Sequence, residues 1–478
     1  MDVATAAIPA QHGSAPTPAP GVSKTVSRRS DPYWLAGLFF AAYSVLSVCR
    51  FRRLGTMTWD LGIFEQAIRA YANLQPPIVD LKGQDFNILG DHFSPVTMLV
   101  APFYRLSPNP VTLLVVQAAL FAVSVIPVAR GAGYLLGRSR GIAIGVAYGL
   151  SWGVQRAVDF DFHEIAFAMP LIAFSLEAVL CKRWKAAMWW ALPLVLVKED
   201  LGVTLAAIGL VILLLVRRDA PRLVPWAIGL IGFGLVFAVI TFGVIIPAFN
   251  SAGSYAYWTK LSGEGTAAYG RTIPPDTALR TLLWIIAPTS GLLAVRSPLL
   301  LAAVPTIGWR FLGRDDHYWG LDWHYSAILM PVLLLALVDA VNRSRNSHRS
   351  WLRCYSAQLP AAVAGAALAL SAYLPLADLT RSSTYQPGAR AEAVFRLFQE
   401  TIPDGATVEA DVGPISLLTN RCRVFWLGNV PGLNPDFITY NSAVINIPDG
   451  AAYARQTHPG ATYMEIARAE GYVILRRV

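Results

Sequence analysis

Residues 93–106 read Phe93-Ser-Pro95-Val-Thr-Met-Leu-Val-Ala-Pro102-Phe-Tyr104-Arg-Leu106. The run is apolar, holds two prolines and is short for a membrane span, which needs about 20 residues. Whether it crosses the bilayer decides on which side every later loop falls. If it crosses, the basic clusters Arg130–Arg140 and Lys182–Lys185 lie outside. If it stays on the outer side as a re-entrant segment, these two join Lys24–Arg29, Arg217–Arg222 and Arg343–Arg353 on the inside. Lys and Arg gather in cytoplasmic loops because they are costly to translocate. The charge pattern therefore predicts that 93–106 stays outside, at the cost of leaving Arg50, Arg52 and Arg53 outside too.

The rest of the chain supports a membrane class. Of 478 residues, 55% are hydrophobic and 14% charged, against roughly 25% charged in soluble domains. The +9 formal charge lies in short runs between apolar segments. That is topology information and not a nucleic-acid footprint. The four cysteines are scattered without a C-x-x-C pair, so neither a disulfide framework nor a zinc site is expected.

The apolar runs 33–50, 110–129, 141–156, 165–181, 184–198, 201–216, 223–247, 277–295, 298–312, 325–341 and 357–377 are the predicted spans. The expected fold is an all-α polytopic membrane bundle of about eleven transmembrane helices. Residues 1–31 read as a disordered cytoplasmic tail and 32–377 as the membrane domain, with outer loops at 50–109, 157–164, 248–276 and 313–324. Residues 378–478 read as a small α/β domain on the outer face, with a helix at 389–400 and strands at Thr407–Ala410, Val424–Leu427, Ala443–Ile447 and Tyr472–Leu475. In 60–74, Leu61, Phe64, Ile68 and Tyr71 recur at helical spacing with Glu65, Gln66 and Arg69 between them, which suits an interfacial helix.

This topology places nearly every polar motif of the membrane part on one side. Asp60 sits where a helix N-cap belongs; it is read either as that cap or as a general base or metal ligand. Asp91 is followed by His92 at the end of the same loop. In Asp159-Phe-Asp161-Phe-His163-Glu164, a strand-like loop would put Asp159, Asp161 and His163 on one face. Two acids and an imidazole suit a divalent cation; a polar knot closing a helix hairpin is the alternative. Lys198-Glu199-Asp200 is either an internal ion pair at a hairpin tip or a phosphate-facing lysine held by Glu199. Arg310, Arg314 and His324 lie among Trp and Tyr residues, and Tyr257 in a similar aromatic loop. They suit either an interfacial belt or the phosphate and sugar of a lipid-linked substrate. The acids cluster at one end of the bundle, whereas a coupled ion transporter places them near the midplane.

The order of these elements resembles the GT-C class of membrane glycosyltransferases. More closely, Asp60-Leu-Gly-Ile-Phe-Glu-Gln, Asp91-His-Phe-Ser-Pro, Asp161-Phe-His-Glu and Lys198-Glu-Asp resemble the "predicted membrane protein" family within that class. Ile402-Pro-Asp-Gly-Ala-Thr-Val resembles the start of that family's tail domain, and the resemblance runs from about Tyr33 to Val478. It implies a GT-C-like fold in the cytoplasmic membrane, N-terminus inside and tail domain outside. It also implies a polyprenyl-phosphate-sugar donor and a cell-envelope glycan or glycolipid acceptor. Asp60 then corresponds to the acid that acts in the class as general base or as metal and acceptor ligand. Asp161 and His163 fall at the second acidic motif. His163-Glu164 stands where many members have a simpler Arg/Asp pattern, so a divalent metal cofactor does not follow from the resemblance alone.

The expected site therefore comprises Asp60, with Asp91 in reserve, as base. Glu65, His92, Lys198, Glu199, Tyr257, Arg310, Arg314 and His324 are expected to bind substrate, and Asp159, Asp161 and His163 a metal. The alternative functions are a lipid or glycolipid transporter with the same acids as a gate, and a non-enzymatic cell-envelope assembly protein.

Overall fold

The computed structural model describes residues 30–56, 59–262 and 271–478. Most of the predicted tail, and its basic end at Lys24–Arg29, lie outside them. Every predicted apolar run falls on helix. Among the described residues, 6 helices are long and apolar enough to cross a membrane: Asp31–Arg52, Pro110–Leu136, Leu201–Asp219, Pro221–Phe249, His324–Ser344 and Ser350–Ser371. The other predicted spans are shorter helices or are broken. Residues 141–156, for example, divide at Leu150 and Ser151 into Arg138–Gly149 and Trp152–Asp159.

Packing ranks these helices. His324–Ser344 is apolar on all sides and 94% buried, as a central helix must be. Pro221–Phe249 is only 22% buried and turns Trp226, Phe233 and Val239 outward. Such a surface is stable only against lipid or a partner. Residues 93–106 form no single helix long enough to cross a bilayer. A 3-10 turn, Pro95–Val100, runs into the short helix Ala101–Leu106, and together they fall below the length a crossing requires. Met98, Leu99, Phe103 and Leu106 are exposed along this segment.

Two ends of the bundle differ in charge. At one, Arg138 pairs with Asp31, Arg345 donates to the carbonyls of Leu135 and Leu136, and Lys182 lies 2.7 Å from Asp219. The buried acid Glu177 is held there by Arg130 and Arg183, and Asp339 by Arg343 and Ser297. At the other end Arg50, near the close of the helix begun at Asp31, pairs with Asp159. The basic loops thus share one end, and the acidic motifs the other.

The C-terminal domain is built on a 5-stranded sheet of order β2-β1-β3-β5-β4 among the described residues. The strands are β1 (Thr407–Ala410), β2 (Arg423–Trp426), β3 (Phe437–Asn441), β4 (Tyr463–Ala469) and β5 (Tyr472–Arg477). The first three pair in parallel and the last two antiparallel. The strand expected at Ala443–Ile447 is absent: Phe437–Asn441, buried along its whole length, takes the central place. The apolar residues at 443–447 lie just past it, in a turn.

This domain docks on the helix Trp59–Ala72. Gln66 Nε2 donates to Val424 O (2.8 Å), and Arg69 to the carbonyls of Thr419 (2.7 Å) and Cys422 (2.9 Å). Asp80 pairs with Arg423 at 2.7 Å. A Cβ on Gly62 would stand 2.2 Å from Ile415 Cγ2, so this contact requires glycine. Docking carries Val412, the first residue of the helix Val412–Leu418, to the wall of the bundle's main cavity.

Candidate active site

Segments far apart in sequence line one cavity of about 660 Å³. The helix Trp59–Ala72 supplies Asp60 from its first turn. Asp60 is therefore inside the helix and not its N-cap, placed where the positive end of the helix dipole favours a carboxylate. The loop before Pro95 supplies His92, and the segment after Trp152–Asp159 supplies Phe160 and His163. The corner before Leu201 supplies Lys198, Glu199 and Asp200. Tyr255, Tyr257, Lys260, Asp315, Tyr318, Trp323, His324 and Tyr325 complete the wall. Phe242 reaches it from a π-helical turn, Thr241–Ile245, a local widening often found at functional sites.

Charged groups form two connected networks. In the first, Lys198 Nζ lies 2.7 Å from Glu164 Oε1, and the other oxygen of Glu164 is 2.5 Å from His163 Nδ1. Burial pushes the Lys198 ammonium down, but Glu164, Glu199 and Asp200 outweigh it and hold it well above the lysine range. Burial likewise raises Glu164, but His163 and Lys198 hold it well below the carboxylate range. Asp200 has less help, and burial lifts it to about 6. In the second network Glu199 Oε1 accepts from Tyr255 OH at 3.0 Å and lies 3.4 Å from His92 Nδ1. His92 Nε2 is 3.1 Å from Tyr257 OH. Burial raises Tyr257, and the charges of Asp91 and Asp60 add to this.

Lys260 Nζ stands 3.0 Å from Asp315 Oδ2 and 3.1 Å from Tyr318 OH, over the rings of Tyr257 and Tyr318. His163 and His324 stack with centroids 3.9 Å apart, and Phe160 lies 4.4 Å from His324. The cavity thus combines five carboxylates (Asp60, Glu199, Asp200, Asp315 and Asp316), two ammonium groups that each face an acid, and aromatic faces. This suits a substrate with an anionic group and a ring.

Of the expected residues, Asp60, His92, His163, Lys198, Glu199, Tyr257 and His324 meet there. Others do not line it. Asp91 lies behind His92, paired with Lys82 at 2.9 Å. Glu65 is fully buried against the tail domain, accepting from Tyr104 OH (3.0 Å) and from the Thr419 hydroxyl. Arg310 is fully buried and clamps the following loop, donating to Tyr318 O (2.8 Å), Gly320 O (2.7 Å) and Ser326 Oγ (3.0 Å). Arg314 lies outside the lining, its backbone N–H bonded to Lys260 O.

The expected metal set does not assemble. Helix continues through Asp159, and Asp161 has φ +75°, so the strand alternation that would align three side chains is lost. Asp159 turns to Arg50, Asp161 gives its backbone carbonyl to Gln117 Nε2 at 2.5 Å, and His163 is engaged by Glu164. Among the described residues, the three groups with ligand atoms mutually within 4.8 Å are Asp315, Asp316 and His317. Lys260 already places a cation against Asp315.

Lys260, Glu164, Tyr255 and Asp315 were not among the expected site residues, although each lies within a stretch that the sequence singles out. Thr306, Trp309 and Val412 also line the cavity, and nothing local signals them.

A family model described as "Predicted membrane protein (DUF2079)" matches residues 50–437. Among solved structures, ArnT from Cupriavidus metallidurans bound to undecaprenyl phosphate superposes with a TM-score of 0.57 at 14% identity, covering 93% of this chain and 98% of that one. The apo form of the same protein gives 0.51 at 11% identity, covering 92% and 97%. No curated protein matches the sequence. The likeness to ArnT is one of fold, and the chain belongs to the predicted membrane protein family DUF2079.

Proposed function

We propose that the protein is a membrane glycosyltransferase that moves a sugar from a polyprenyl-phosphate carrier to an acceptor hydroxyl at the outer face of the cytoplasmic membrane. The observation that carries this reading is Asp60 in one cavity with Lys198 and Lys260, at the end of the bundle away from the basic loops. A lipid-linked donor arrives through the bilayer and needs no nucleotide-binding fold. The ArnT structure of the same fold holds undecaprenyl phosphate, which is the carrier chemistry proposed here. A cell-envelope glycan or glycolipid is the acceptor. The N-terminus is then cytoplasmic and the tail domain extracytoplasmic.

In this reading the Asp60 carboxylate takes the proton of the acceptor hydroxyl as that oxygen bonds to the anomeric carbon. The bond from the anomeric carbon to the phosphate oxygen breaks, and its electrons leave with the polyprenyl phosphate. Lys260 and Lys198 stabilise the charge that develops on the leaving phosphate. Phe160, His324 and Tyr325 supply faces for the sugar ring, and the tail domain closes one wall through Val412.

The test is sugar transfer by the purified protein from lipid-linked donors, with Asp60→Asn as the variant. Loss of a positioned base lowers turnover by about 10²–10⁴-fold. Wild-type turnover in a folded Asp60→Asn protein removes the assignment.

A further inference from the structure

A second cavity, of about 1100 Å³, lies away from the active site where the spans Asp31–Arg52 and Pro110–Leu136 meet the tail-domain helix Ala389–Thr401. Its volume is at the upper end for ligand pockets. Val48, Phe51, Val111 and Phe395 make its apolar side. Phe51 and Phe395 pack with ring centroids 5.9 Å apart, so the tail domain touches the membrane helix at the cavity itself. The polar side carries four exposed charges, Arg52, Glu392, Arg396 and Glu400.

Three independent features need one explanation. The arginines following the first span violate the charge pattern, because they lie at the end opposite the basic loops. Arg50 is accounted for by Asp159 and by Gly55 O at 2.9 Å, but Arg52 faces this cavity. The apolar wall comes from the ends of two helices long and apolar enough to cross a membrane, Asp31–Arg52 and Pro110–Leu136. The four charges are balanced, two of each sign, so an anion alone meets as much repulsion as attraction.

We propose that this cavity binds a zwitterionic phospholipid headgroup bearing a primary ammonium, that is, a phosphoethanolamine lipid. The arginines take the phosphodiester, Glu392 and Glu400 take the ammonium through its N–H donors, and the acyl chain leaves along Val48 and Val111. The site fastens the tail domain to the bilayer surface and is independent of the glycosyltransferase reading.

The experiment is native mass spectrometry of the full-length protein titrated with phosphatidylethanolamine, phosphatidylcholine or phosphatidylglycerol. The ethanolamine lipid is expected to bind at least 10-fold more tightly than the other two. Choline lacks N–H donors, and the glycerol headgroup lacks the cation. Arg52→Ala with Arg396→Ala is expected to weaken all three lipids, since each carries the phosphodiester. Glu392→Gln with Glu400→Gln is expected to equalise ethanolamine and choline lipids while sparing phosphatidylglycerol. All four positions are exposed, and the wild-type comparison stands without any variant. Equal binding of the three lipids to wild type, tighter binding of phosphatidylglycerol, or an ethanolamine preference that survives the two glutamate substitutions overturns the proposal.

Discussion

Lys198 Nζ lies 2.7 Å from Glu164 Oε1, joining two loops 34 residues apart, with Glu164 fully buried and Lys198 partly so. This pair sets the active-site wall. Through Glu164 it fixes His163, and through the backbone of its own corner it aims Glu199 at His92 and Tyr255.

Breaking one half of such a pair leaves a buried charge uncompensated. Glu164→Gln is expected to cost roughly 3 kcal/mol of stability. Adding Lys198→Met removes the stranded ammonium and is expected to recover part of that loss. Thermal unfolding in detergent of the two singles and the double checks this. Strictly additive losses contradict it, since contacting residues couple.

Glu65 makes tail-domain docking pH-dependent. Burial raises it from 4.5 to about 7, against the Thr419 and Tyr104 hydrogen bonds and the charge of Arg69. Its folded value exceeds the unfolded one, so the native state holds the proton more tightly. The contribution is complete below about pH 4.5 and is lost as pH rises through about 7, a change of about 3 kcal/mol at 1.36 kcal/mol per unit. Melting of wild type and Glu65→Gln between pH 5 and pH 8 (roughly the window of this shift) tests it. The glutamine variant is expected to lose this part of the slope and to be the more stable of the two at the alkaline end.

Arg310 holds the loop that carries Asp315, Tyr318 and His324. Arg310→Lys keeps the charge but cannot make the three-way contact to Tyr318 O, Gly320 O and Ser326 Oγ. Faster amide exchange across 313–326 is expected, with a stability loss of roughly 1–3 kcal/mol. Unchanged exchange there would show that the clamp does not order the loop.

Gly90 lets two segments approach. A Cβ there would stand 2.5 Å from the backbone carbonyl of Phe249, beside the 2.8 Å bond from Asn250 Nδ2 to Gly90 O. Gly90→Ala must displace the 246–250 backbone and with it the segment bearing Tyr255 and Tyr257. Transfer activity is expected to fall by more than about 10-fold with Asp60 untouched. Full activity argues that this segment adapts.

Periodicity and charge are local signals, legible in the sequence. Apolar runs marked the helices, and the basic clusters put the acidic loops at the opposite end, which is why Asp60, His92, His163 and Lys198 were found together. Contacts that tertiary structure decides leave no such local signal. Glu65 and Arg310 read as site residues because a charge in an apolar setting draws attention. Each is instead fully buried and satisfied by partners remote in sequence or folded back on it: Thr419, 354 residues away, and the carbonyls of Tyr318 and Gly320. The metal reading of Asp159, Asp161 and His163 assumed strand alternation, and the helix running through Asp159 removed it. Strand β3 was missed because a run buried on both faces shows no alternation.

The most direct measurement of the central claim is a structure of the protein determined with a polyprenyl phosphate bound. The account predicts lipid density entering from the bilayer with its phosphate between Lys198 and Lys260, beside Asp60. Density whose phosphate lies among the basic loops at the opposite end of the bundle would contradict it.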